Sequence, residues 1–172
     1  MVRRKLNETI SEMYKNGLID ETFVMEAITH TLGGTCEKSS REEDMHQHID
    51  FWWNSPKKGR IGIDVKGVKK KNRQDKEVDD TIHWIEIQNV NGKKGWIYGS
   101  ATYIAFRTLT QIIFVKTSVL QNWSEYRVLG KPLVYSNPKN CYTPYQRWRR
   151  QDIVYKIPTE DLINLSDFII DC

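Results

Sequence analysis

Ile49-Asp50-Phe51-Trp52-Trp53-Asn54-Ser55-Pro56-Lys57-Lys58-Gly59-Arg60-Ile61-Gly62-Ile63-Asp64-Val65-Lys66 decides how this chain is read. Two runs rich in aromatic and β-branched residues flank Asn54 to Gly59, a stretch of turn formers, so the segment predicts a β-hairpin. The first run is taken back to His46, which makes His46 to Trp53 one strand. With the turn centred near Lys57, Asp50 lies opposite Asp64 and His48 opposite Lys66. Opposed residues have Cβ atoms about 4.5–5.5 Å apart, and residues two apart on a strand share a face. Asp50, Asp64 and Lys66 therefore meet on one patch. A slip of one residue would scatter them.

A largely apolar strand has little structural reason to carry Asp64 and Lys66. Two carboxylates at that separation raise one another's pKa unless a cation lies between them. Oxygen ligands suit Mg²⁺ or Mn²⁺, which bind one or two carboxylates together with water and substrate phosphate. A lysine beside them can orient or deprotonate a water, or stabilise negative charge in a transition state. Acid-x-Lys is a common tripeptide, and it occurs once in this sequence. The alternative is an edge strand whose charges face solvent.

Asp50 followed by Asp64-Val65-Lys66 resembles the signature of the PD-(D/E)XK nuclease superfamily, which includes type II restriction enzymes, Holliday-junction resolvases and phage nucleases. The resemblance rests on three motif positions and on topology over roughly 20–120. It implies a restriction-endonuclease-like mixed sheet and a metal-dependent phosphodiesterase. It makes Asp50 and Asp64 metal ligands and Lys66 the catalytic lysine, with the Val65 carbonyl completing the metal shell. It also implies one more acid from the helix before the first strand. Glu21 to Leu32 has helical apolar spacing at 24, 25, 28 and 32, and Gly33-Gly34 ends it, so Glu26 is chosen for that acid. Glu37, Glu42, Glu43 and Asp44 are further candidates.

Ile82 to Val90 alternates strictly, with Trp84, Glu86 and Gln88 on one face. Glu86 and Gln88 either extend the acidic patch, Glu86 assisting metal or water and Gln88 holding substrate, or form the wet face of a half-buried strand. His46 and His48 raise the question of zinc, but no other His or Cys cluster supports it. Cys36, Cys141 and Cys172 show no paired spacing.

A net charge of +4 is only mildly basic, and its distribution is more telling. Lys69 and Lys70 open a basic loop after Lys66. Lys93, Lys94, Trp96 and Tyr98 sit in a glycine-rich segment, and Arg147, Arg149 and Arg150 interleave with Tyr142, Tyr145 and Trp148. These groups suit phosphate contact and base stacking, so DNA is the expected partner. Gln88 joins them as a substrate contact.

The chain reads as one domain over 1–172, with 130–146 irregular and a strand and short helix after it. The expected order is two helices, three or more strands, a hairpin at 101–116, a helix at 119–129, a strand and a helix. That order gives an α/β or α+β fold around a mixed sheet flanked by helices. An odd cysteine count argues for a reducing compartment, and no run reaches membrane-spanning length. The start is basic without an apolar segment behind it. The expected setting is the cytoplasm, including that of a virus-infected cell. The expected activity is Mg²⁺- or Mn²⁺-dependent cleavage of DNA, as an endonuclease with a homodimer as its candidate assembly. The alternatives are a binding protein on the same fold and an RNA- or junction-selective nuclease.

Overall fold

The computed structural model describes residues 2–68 and 77–172, with the side chains of the first helix described from 16 onward. Helix α1 (Val2–Leu32) contains the helix expected over Glu21 to Leu32 and begins well before it. It ends at Gly33, whose φ of 75° and N–H to Thr29 O (3.1 Å) form a left-handed C-terminal stop. Strand β1 (Thr35–Lys38) and helix α2 (Arg41–Gln47) follow.

Strands β2 (Phe51–Ser55) and β3 (Gly59–Lys66) form the expected hairpin, with Phe51 opposite Ile63 and Ser55 opposite Gly59. Extended by one pair, that register puts Asp50 across from Asp64. The expected strand over His46 to Trp53 is corrected at its beginning. His46 lies in the last turn of α2, His48 caps that helix in the left-handed region (φ 53°), and the strand starts only at Phe51. The cause is the capping box: Glu43 N–H donates to Ser40 Oγ, while the Glu43 carboxylate accepts from Ser40 N–H. His48 is therefore not paired opposite Lys66 on a strand.

β3 pairs in parallel with β5 (Tyr103–Arg107), which forms a hairpin with β6 (Gln111–Lys116), and β9 (Phe168–Asp171) pairs with β6. The result is a six-stranded mixed sheet, β1-β2-β3-β5-β6-β9. β4 (Ile82–Gln88) does not join it. It is an edge strand of a separate antiparallel sheet, paired with β8 (Ile153–Pro158), with β7 (Tyr145–Gln146) beyond. Helix α3 (Thr117–Val128), helix α4 (Thr159–Leu165) and a 3₁₀ turn at Trp96–Tyr98 complete the mixed α and β architecture.

Two cores follow from alternation along the central strands. Phe51, Ile63, Tyr103, Ala105 and Phe114 pack under Val24 and Ile28 of α1. Ile104, Phe106, Ile113 and Val115 point the other way, against Ile85, Tyr155 and Ile157 of the small sheet, Leu120 of α3 and Leu162 of α4. Both faces of β5 and β6 are thus covered, which is why they read as unbroken apolar runs. Among the described residues, no helix is long and apolar enough to cross a membrane.

Candidate active site

Asp64 takes the second of these faces, in register with Ile104. Its side chain is 3 % exposed. Oδ1 accepts from Lys66 Nζ at 2.7 Å, while Oδ2 is buried with no hydrogen-bond donor among the described residues. The neighbour across the hairpin is another acceptor, Asp50. Burial, reinforced by Asp50 and opposed by Lys66, pushes the Asp64 carboxyl up to about 7.

Asp50 is fixed by its backbone before its side chain acts. Its N–H donates to Ile63 O (2.9 Å), and its carbonyl accepts from Ser39 N–H (3.2 Å) and Ser39 Oγ (3.0 Å). Its Oδ2 accepts from Val65 N–H at 2.6 Å, so the carboxylate is locked to the strand that carries Asp64. Val65 itself turns its side chain to the α1 side.

Lys66 is held from two directions. Its ammonium bonds to Asp64 and lies 4.4 Å from the centre of the Trp96 ring, leaving 19 % of the side chain exposed. Trp96 leans edge-on against buried Phe106 (6.2 Å). Glu86 arrives from the small sheet, with Oε1 3.4 Å from the Trp96 N–H. Burial raises its pKa, while the Trp96 N–H and the charge of Lys66 lower it. A strand outside the central sheet therefore supplies the fourth polar group, through the 3₁₀ turn.

A second rank of groups surrounds Asp50. Glu21 of α1, ion-paired with Lys38 of β1, is raised by burial and by the charges of Asp50 and Asp44. Asp44 of α2 is raised by burial and then by Asp50. His48 is lowered by burial and by Lys66, against the opposing charges of Asp44 and Asp50. α1 is brought to this end of the sheet by its neighbour Asp20, which ion-pairs with Arg107 of β5 and packs on Gly67, where any Cβ would strike the Asp20 carboxylate.

Glu26 is exposed on the outer side of α1 and does not join the group, a correction to the helix acid chosen from sequence. The residue that does, Glu21, is in helical register with Val24, Met25 and Ile28. That spacing was the available signal. Asp44 carried a weaker one, since Ser40-x-x-Glu43 announces a helix start. Among the described residues, no group of three His, Cys, Asp or Glu side chains forms a ready metal cage, and no His or Cys zinc site exists.

The expected nucleic-acid contacts have mixed placements. Lys69 and Lys70 lie outside the described residues. Lys93 and Lys94 are exposed, and Lys94 lies over the Tyr98 ring at 5.2 Å. Trp96 is engaged by Lys66 and Phe106 rather than open for stacking. Gln88 donates to Gln151 O (2.5 Å), tying β4 to the loop before β8 instead of facing outward. Arg147 is bound to buried Asp152, while Arg149 and Arg150 are exposed. No protein-family model, curated protein or solved structure matches the chain.

Proposed function

We propose that this protein is a metal-dependent nuclease hydrolysing phosphodiester bonds in DNA, built on a restriction-endonuclease-like sheet. The observation that carries the reading is the buried Asp64 carboxylate, with one oxygen on Lys66, the other without a donor among the described residues, and Asp50 across the hairpin from it. A gap between two carboxylates is stable when a proton or a cation fills it. Mg²⁺ and Mn²⁺ need no all-protein cage, so two acids are a sufficient protein contribution.

Asp50 and Asp64 would hold the ion, with the Val65 carbonyl beside them and Glu21 in the place expected of Glu26. The ion would supply Lewis-acid stabilisation of charge on phosphate and a more acidic bound water. The remaining roles belong to the chain. Lys66, restrained by Asp64 and by the face of Trp96, directs an ammonium at the nucleophilic water or at a phosphate oxygen. Glu86, half-buried and raised in pKa, is placed to accept a proton through water.

Purified protein given Mg²⁺ or Mn²⁺ and a panel of linear, nicked, single-stranded and branched DNA should cut at least one substrate. Asp64→Ala and Lys66→Ala should each lower the rate at least about 100-fold with an unchanged circular dichroism spectrum. Equal cleavage by the wild type and both variants would reject the assignment. The second reading, a nucleic-acid-binding protein without chemistry, draws on the lack of a three-acid cluster among the described residues. It expects salt-dependent binding with no metal-dependent cleavage.

A further inference from the structure

The loop from Arg147 to Gln151 closes the end of the small sheet on the Glu86 side. It is anchored from beneath. Asp152 is fully buried, and its Oδ2 accepts from Arg147 Nε (2.5 Å) and from the Arg147 terminal nitrogen. Three further bonds fix the backbone: Arg150 N–H to Arg147 O (3.0 Å), Gln146 Nε2 to Arg150 O (2.9 Å) and Gln88 Nε2 to Gln151 O (2.5 Å). Arg149 is held at φ 56°, a left-handed conformation that a long side chain adopts only when its surroundings impose it.

What this effort displays is Trp148, 78 % exposed, followed by exposed Arg149 and Arg150. The fold gains no packing from an indole in water. Two exposed arginines beside an exposed ring, with the Arg149 guanidinium 6.0 Å from the centre of the Trp148 ring, match phosphates beside a base, and a base can meet that ring only when it has left its duplex stack. The loop also lies beside the candidate active site: Gln151 is tied to Gln88 of β4, and Glu86 on the same strand pairs with Val154, two residues after Asp152.

We propose that the loop Arg147–Gln151 is a platform for an unpaired, single-stranded stretch of nucleic acid. Trp148 stacks on a base, Arg149 and Arg150 meet flanking phosphates, and Asp152 is the buried anchor that keeps the loop in shape. The inference rests on the nuclease reading for the class of ligand. It narrows the substrate to one with unpaired nucleotides, such as an overhang, a flap or an opened junction, rather than a blunt duplex.

Fluorescence anisotropy in EDTA tests it, using a labelled oligodeoxythymidine, an oligouridine of equal length and a blunt DNA hairpin closed by a non-nucleotide linker, which has no unpaired nucleotides. Trp148→Ala should weaken single-strand binding about 10-fold, leave the hairpin unchanged, and be largely rescued by Trp148→Phe. Removing Arg149 and Arg150 together should flatten the dependence of log K on log salt by about 1.4 for the single strand. Binding of RNA as well as DNA supports the platform equally. Unchanged single-strand affinity in Trp148→Ala, or equal losses on strand and hairpin, overturns it; unchanged affinity for every nucleic acid would assign the indole to a protein partner instead. Because binding is read without metal, single-strand binding through Trp148 in a protein that cuts nothing would retain this inference and discard the nuclease reading.

Discussion

A carboxylate as enclosed as Asp64 weakens the fold wherever it is ionised. Folding raises its pKa from 3.8 to about 7, so the folded state holds this proton more tightly than the unfolded state. Between those values the unfolded chain binds fewer protons, and stability falls as pH rises. In EDTA, Asp64→Asn should therefore stabilise the protein at pH 8 by up to about 4 kcal/mol and do little near pH 4, as thermal melts at the two pH values would show. A gain of equal size at both would mean that charge is not the cause. The helix acid gives a second test at this scale. Glu21→Gln should weaken Mg²⁺ binding about 10-fold by calorimetry, whereas Glu26→Gln should leave it unchanged. The difference was legible in the 21-24-25-28 spacing. Glu26 lies beside the apolar stripe of 24, 25, 28 and 32, but on its exposed side.

Helix α2 determines where Asp50 stands. Its capping box starts the helix at Ser40, the left-handed His48 ends it, and Asp50 then joins the sheet, its N–H on Ile63 O and its carboxylate on Val65 N–H. Ser40→Ala should cost about 1 kcal/mol in denaturant unfolding. It should also lower cleavage more than a remote surface substitution of equal stability cost, because the strand entry loosens. Among the strands, the β2–β3 register was readable because turn chemistry and alternation agree. The placement of β4 was not. Its alternation fixes which residues share a face but not which sheet it enters, and nine-residue patterns of that kind suit either. β1 and β9 were missed for a related reason: each is only four residues long, too short for periodicity to stand out.

For the whole molecule, the site exists because two sheets press on opposite sides of one aromatic layer. Phe106 of the central sheet, fully buried, touches both His83 of β4 (5.2 Å) and Trp96. Phe106→Ala should cost about 3–5 kcal/mol. Phe106→Leu, with a milder cost, should still reduce cleavage by freeing Trp96 and, through it, Lys66; unaltered kinetics in the leucine variant would show that the ring is not needed behind the lysine.

The sequence by itself determined what is local: the hairpin, its register and so the meeting of Asp50, Asp64 and Lys66, the 103–116 hairpin, α3, β8 and α4. Those elements follow from side-chain periodicity and turn residues a few positions apart. The tertiary structure alone decided that β4 leaves the central sheet yet returns Glu86 to Lys66 through Trp96, and that Asp152 is buried under Arg147. Each of these depends on which surface a segment is buried against, a free energy shared between residues distant in the chain and hence absent from any short stretch of it.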